Sequence, residues 1–298
     1  MFPSELKTEE QISEAIIGVI VFFDLFDYPL SAYEIWKYLD KKTSLIIIVK
    51  SLENLKIIGK KNGLFFLAGR EEIIDIRQKR HNYSLRKIKI ANRFSKLFSL
   101  LPYVKTVILS NSIGLYNLRD GSDIDFFIIS SANRIWLTRL YCAGVAALLN
   151  SRPSFKNKRD KICLSFYIST ENLNLDNLKL VGGDPYFYYW LRSFILLYNK
   201  DKTYEDFLSA NCLERSPDSY VPGTLEIDRK KEFKISRSFE NIAKKIQFLI
   251  MSPALKRAIN NSVGVVINDK VLKLYLTDNR QDYREKYGNK IKQVLAQD

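Results

Sequence analysis

Asp123 and Asp125 stand one residue apart in SDIDFFIIS (122–130), a stretch that is otherwise mostly apolar. In an extended strand successive side chains alternate between faces, so the two carboxylates share one face while Ile124 and Phe126 share the other. Like charges about 6–7 Å apart on a strand repel unless a cation sits between them. Two hard oxygen donors on rigid backbone suit Mg²⁺, or Mn²⁺, with the remaining ligands drawn from water and phosphate. Ser112, eleven residues before Asp123, closes a strand and opens a short helix. A hydroxyl and unpaired backbone N–H groups hold a phosphate at such a point. Asn111 precedes it, and Asn tolerates left-handed backbone geometry better than other side chains. Strand, phosphate-binding turn, loop and acid-bearing strand together place a metal-bound triphosphate. The alternative for the same residues is a plain strand end, its acids paired to Arg119 or Arg134.

Holding these groups requires a sheet. Residues 101–200 read as α/β: a strand VKTVILS, the strand DIDFFIIS, a helix from about Arg134 to Leu149, and a third strand KICLSFYIS (161–169). DPYFYYWLRSFILLYNK, TYEDFLSANCL, SFENIAKKIQFLIM and DYREKYGNKIKQVL then read as helices, so a helical C-terminal region is expected over 201–298. A triphosphate needs cations. Arg134 and Arg139, on the helix that follows the acid-bearing strand, are the preferred nucleotide-binding pair, ahead of Lys158, Arg159 and Lys161.

Upstream, a helix from about Gln11 to Phe26 precedes Pro29. Ser31 then caps AYEIWKYL, and Ser44 caps SLIIIVKSLENLKIIG, which is expected to end at Gly59. KKNGLFFLAG reads as a hairpin turning at Asn62 and Gly63. Three helices and a hairpin predict a winged helix-turn-helix over 1–70, serving either a nucleic-acid groove, with Lys60 and Lys61 on phosphates, or protein contacts. A basic connecting helix is expected over 71–100; from Ile76 to Lys105 there are nine Lys or Arg and no acid. Its basic face, over 76–100, tracks a nucleic-acid backbone, draws in nucleotide triphosphate, or is simply solvated.

The hydrophobic strand, Ser112, and the pair Asp123 and Asp125 resemble the motif of the nucleotidyltransferases of the DNA polymerase beta superfamily, with Asn111 where the family carries glycine. FFDLFDYPLS, NRIWLTR, DKICLSFYIS and LKLYLTDNR extend the resemblance, over most of the chain, to a bacterial group with an N-terminal winged helix. The resemblance implies an α/β (α+β) fold with a mixed sheet, an NTP substrate, Mg²⁺ or Mn²⁺ at Asp123 and Asp125, and a third carboxylate from a later strand. KICLSFYIS has none. Its polar alternation is Cys163, Ser165 and Tyr167, so Ser165 is expected to face the site, with Asp160 and Glu171 as substitute acids.

The net charge of +14 makes a polyanionic partner plausible without identifying one. Cys142, Cys163 and Cys212 lack metal-site spacing and read as core thiols of a reducing compartment. His81 reads as solvated. AIIGVIVFF (15–23) is too short to span a bilayer, so a buried helix, no membrane partner and a cytoplasmic protein are expected. Two functions remain open: transfer of a nucleoside monophosphate from NTP to a hydroxyl, and a nucleotide-binding regulator with little or no turnover.

Overall fold

The computed structural model describes residues 8–40, 43–154, 156–214, 220–227, 236–259 and 263–296. The chain divides into two units, one made of residues 1–82, 180–192 and 279–298, the other of 83–179 and 193–278. The class is mixed α/β, as expected.

In the first unit, α1 (Glu9–Asp24) carries the apolar run, and every residue from Ile16 to Asp24 is buried. Among the described residues no helix is long and apolar enough to cross a membrane. Ser31 caps α2 (Ala32–Tyr38) through a reciprocal capping box with Glu34. Ser44 caps α3 (Leu45–Asn54). That helix stops before Gly59, which instead lies in β2 (Ile58–Lys61), where an added Cβ would meet the Phe66 ring at 2.7 Å. The hairpin from β2 to β3 (Leu64–Leu67) turns at Asn62 and Gly63, both at positive φ. β1 (Leu30–Ser31) completes a three-stranded antiparallel sheet in the order β1-β3-β2.

The expected C-terminal region is not one helical block. Its last helix, α10 (Arg280–Leu295), belongs to the first unit together with α6 (Pro185–Arg192). Arg280 pairs there with Asp184 at 2.7 Å, Tyr186 stacks on Tyr283, and buried Asp24 is held by Arg70 and Lys290. The basic helix α4 (Ile73–Ser99) lends its first ten residues to this unit. Its Arg77 and Arg80 bond Glu34 and Asp27.

The second unit is built on a seven-stranded mixed sheet in the order β8-β7-β4-β5-β6-β10-β9. The strands are β4 (Val104–Leu109), β5 (Ile124–Ser130), β6 (Ile162–Ser169), β7 (Ile195–Lys200), β8 (Tyr220–Ile227), β9 (Val265–Ile267) and β10 (Val271–Leu274). SFILLYNK, expected as helix, therefore supplies a strand beside β4, and three more strands fall within the region expected to be helical. The rest of α4 and α5 (Ile135–Leu148) cover one face: Phe94, Phe98, Trp136 and Cys142 pack with Val107, Leu109, Ile124, Phe126 and Ile128. On the other face Phe127 joins Phe166, Phe194 and Phe207 of α7 (Thr203–Ala210), with ring centroids 4.8–5.6 Å from its own. Helix α8 (Arg237–Ile250) caps the start of α5, where Glu240 accepts from the N–H groups of Trp136 and Leu137.

Glu34 yields a pH-dependent expectation for the first unit. Burial by itself raises its carboxyl, but the Arg77 guanidinium foremost, then the Ser31 N–H and the Tyr28 hydroxyl, outweigh burial and hold the group below its ordinary value. Such a carboxylate contributes stability that is complete above its unfolded pKa of about 4.3 and is lost as the pH falls through the lower folded value. Glu34→Gln should therefore lower urea resistance at pH 7 by about 2 kcal/mol. It should also flatten the loss seen in the unsubstituted protein below about pH 4. An unchanged urea midpoint at neutral pH would show that the pair with Arg77 contributes nothing.

Candidate functional site

The two acids emerge where the strand pattern sends them. Ile124 and Phe126 are fully buried on the helix-covered face, and Asp123 and Asp125, both partly exposed, take the opposite one. Among the described residues neither carboxylate has an Arg or Lys partner. The protein packed around the partly exposed Asp125 removes much of its hydration, and this, followed by the charge of Asp123, pushes its carboxyl up to about 6, although Asn111 and Cys163 hydrogen-bond to it.

β4 delivers the chain to Ser110, whose N–H donates to the Asp125 carbonyl at 3.2 Å. Continuing the β4–β5 register, in which Leu109 faces Phe126, sets Ser110 beside Asp125 on the same face. Its hydroxyl is buried with no hydrogen-bond partner. A single 3₁₀ turn, Asn111–Ile113, follows. Asn111 has φ 62°, the left-handed geometry for which glycine is the usual choice, and its amide reaches Asp125. Ser112 is exposed on this turn. Gly114 seats the turn against the backbone, since a Cβ there would lie 2.0 Å from the Ser193 carbonyl oxygen.

The loop from this turn to β5 is held by a group read from sequence only as part of a basic surface. Lys87 of α4 is 0 % exposed, and its ammonium donates to the carbonyls of Asp120 (2.9 Å) and Ser122 (2.6 Å) and to the Asp160 carboxylate (2.8 Å). Arg86 bonds Asp120 and Asp160. Five of the nine basic residues between 76 and 105, namely Arg77, Arg80, Arg86, Lys87 and Lys105, thus pair with acids of the chain. Much of that charge is internal.

Asp160 is therefore not a spare ligand. Burial acts against its ionisation, but Lys87 and Arg86 prevail and hold its carboxyl below the ordinary value. Glu171 lies past the other end of β6, accepting from the Asn133 N–H. Arg134 is also at that end, over the Tyr103 ring. A strand rises about 3.3 Å per residue, which sets Ser130, just ahead of Arg134, about 16 Å from Asp125. Arg139 sits behind the sheet on α5, bonded to Gln247 of α8, and burial lowers its pKa. Neither preferred arginine joins the carboxylates, because the helix that carries them begins at the far end of β5.

The residue that does join them is Cys163. β6 runs parallel to β5 with Asp125 opposite Cys163, and the next pair is Phe127 with Phe166, so β6 holds one extra residue. This bulge breaks the simple alternation. Tyr167 consequently turns into the core under the helices, whereas the Ser165 hydroxyl lies 3.2 Å from the Cys163 sulfur. The sulfur and carboxylate oxygens of Asp123 and Asp125 all lie within 4.8 Å of one another. Of the three thiols expected in cores, Cys142 is buried, Cys163 is half-exposed in this cluster and Cys212 is exposed. His81 is exposed, as expected.

The carboxylate pair fits a hard divalent cation, and the orphaned Ser110 hydroxyl beside it offers a further oxygen. The thiol does not belong to a hard donor set. Compared with protein-family models, curated proteins and solved structures, the chain matches none of them.

Two outcomes follow from this geometry. Lys87→Met should destabilise the second unit by about 3 kcal/mol, because it leaves the half-buried Asp160 short of its main counter-charge. Asp160→Asn, which keeps an acceptor, should cost less; urea unfolding of both variants checks the order. For metal-free protein, Asp125 has a folded pKa of about 6 against an unfolded value near 3.9. The native state then binds more protons than the unfolded state between those values, and stability falls as pH rises through that window. Asp125→Asn should therefore stabilise the protein above about pH 6 and do little near pH 4. Equal stabilisation at both pH values would disprove the raised carboxyl.

Proposed function

We propose that the chain is a nucleotidyltransferase-type protein that binds a nucleoside triphosphate with a divalent cation and moves the nucleoside monophosphate to a hydroxyl acceptor, releasing pyrophosphate. The observation that carries this reading is the pair Asp123 and Asp125, set on one strand face with no lysine or arginine paired to it among the described residues, beside the short turn Asn111–Ile113.

Asp123 and Asp125 would hold the cation, Mg²⁺ or Mn²⁺. When bound, it supplies Lewis acidity and charge neutralisation at the phosphates. Asn111 holds Asp125 through its side-chain amide, and its left-handed backbone starts the turn that carries Ser112. Ser112 offers an exposed hydroxyl on the same turn, so this segment binds and orients the phosphate chain. Gly114 fixes the turn on Ser193.

Among the described residues no third carboxylate completes the site, since Asp160 is neutralised by Lys87 and Glu171 is remote. Turnover is then slow, because no acid of the later strand takes the acceptor's proton. The same observation favours a second reading, a nucleotide-binding regulator, and the three helices and tight hairpin of the first unit support it as a winged helix that contacts nucleic acid or protein.

Calorimetry with each NTP and Mg²⁺ or Mn²⁺ should give metal-dependent binding that Asp123→Ala abolishes. A coupled pyrophosphate assay should give slow release, lost in Asp125→Asn. Failure of every NTP to bind with either ion refutes both readings. Fast turnover, at many cycles per second, refutes the impaired site.

A further inference from the structure

Cys163 is the one member of the carboxylate cluster whose chemistry does not match Mg²⁺. Its sulfur faces Asp125 across the parallel β5–β6 pair, within 4.8 Å of both acids' oxygens. We propose that Cys163 is the third ligand of this centre, and that the cation it retains is a thiophilic transition ion of the Zn²⁺, Fe²⁺ or Co²⁺ class rather than Mg²⁺. The proposal rests on the reading of Asp123 and Asp125 as a cation site, adds the third donor, and replaces the Mg²⁺ or Mn²⁺ of that reading with a thiophilic ion.

Donor chemistry selects the ion. Mg²⁺ takes oxygen ligands almost without exception, whereas a thiolate shifts preference towards Zn²⁺ and its neighbours. Two carboxylates and one thiolate make three protein ligands, the number that leaves a tetrahedral ion one open position for water or a phosphate oxygen. Binding is balanced by loss of the thiol proton to solvent as the metal–sulfur bond forms.

A separate observation points to a ligand at the same place. The Ser110 side chain is 0 % exposed, stands next to Asp125 on the cluster's face by register, and has no hydrogen-bond partner. Buried hydroxyls are bonded in the great majority of cases. An orphaned one against a metal-ligating cluster suits a metal-bound water or phosphate oxygen as its partner.

The bulge in β6 is what makes this possible. Without the extra residue, Cys163 opposite Asp125 would turn Phe166 away from Phe127 and open the aromatic wall behind the cluster. With it, the sulfur reaches the acids while that wall stays closed.

The test is a Co²⁺ titration of the full chain after chelation. One bound Co²⁺ should give a near-ultraviolet thiolate charge-transfer band that vanishes in Cys163→Ser and persists in Cys212→Ser. Affinity for Co²⁺ and Zn²⁺ should fall at least about tenfold in Cys163→Ser. Mg²⁺ should displace Co²⁺ readily only from Cys163→Asp. Zn²⁺ should also protect Cys163 of the unsubstituted protein from alkylation, as read by peptide mass, which assigns the ligand even if a variant fails to fold. Bound Co²⁺ with d–d bands alone, or a charge-transfer band that survives Cys163→Ser, overturns the proposal. NTP calorimetry on the same protein separates the two readings. Nucleotide binding without a thiolate band defeats only the sulfur ligand, and a thiolate band without nucleotide binding defeats only the nucleotide site.

Discussion

A buried ammonium is costly, several kcal/mol even after relaxation, and persists only where its N–H groups are matched. Lys87 has three donors and three oxygen acceptors, two of them backbone carbonyls of the loop that leads into β5. The third is Asp160, in the turn that leads into β6. One side chain thus fixes the entry of both strands whose first residues form the cluster. The backbone repeats the link, with the Ile124 N–H on the Lys161 carbonyl at 2.8 Å and the Asp160 N–H on the Ser122 carbonyl. The relative placement of Asp123, Asp125 and Cys163 therefore depends on a residue of α4 that bonds the segments just ahead of them.

Against that satisfied network, the cluster itself is left uncompensated. Asp24, Glu34, Asp160 and Asp184 each have a lysine or arginine close by, in a chain with 47 such residues. Even Glu240 takes two backbone N–H groups. Cations are plentiful, so two neighbouring carboxylates with no lysine or arginine paired to them among the described residues represent unfavourable electrostatics that an exogenous cation relieves. The cost to the fold and the affinity for a cation share the same origin.

The sequence made the carboxylate face legible because strand alternation has a period of two and Ile124 and Phe126 confirm its phase. Ser31 with Glu34, and Asn62 with Gly63, were equally readable, since each encodes a local hydrogen bond or a positive φ within a few residues. Gly59 was not: a glycine that ends a helix and one that lets Phe66 approach a strand are the same letter. SFILLYNK is a short apolar run without periodicity, and such runs fit a buried strand or a helix alike. The nucleotidyltransferase and winged-helix readings rest on motif and element order. Lys87 and Asp160 were beyond reach for another reason. They stand 73 residues apart, and no local pattern marks a lysine destined for burial rather than for solvent.

The bulge in β6 carries the remaining consequence. Alternation continued through KICLSFYIS puts Cys163, Ser165 and Tyr167 on one face, and it fails after Ser165 because one extra residue reverses the phase. Tyr167 goes under the helices and Phe166 comes up against Phe127. A single irregularity therefore lets two pairings coexist: Cys163 stands opposite Asp125, and Phe166 meets Phe127. Desolvation by the protein packed around Asp125, more than the charge of Asp123, raises its carboxyl. An ion bound there would meet donors only partly exposed to water, so the identity of the third donor weighs more heavily on metal choice than it would at a fully exposed strand end.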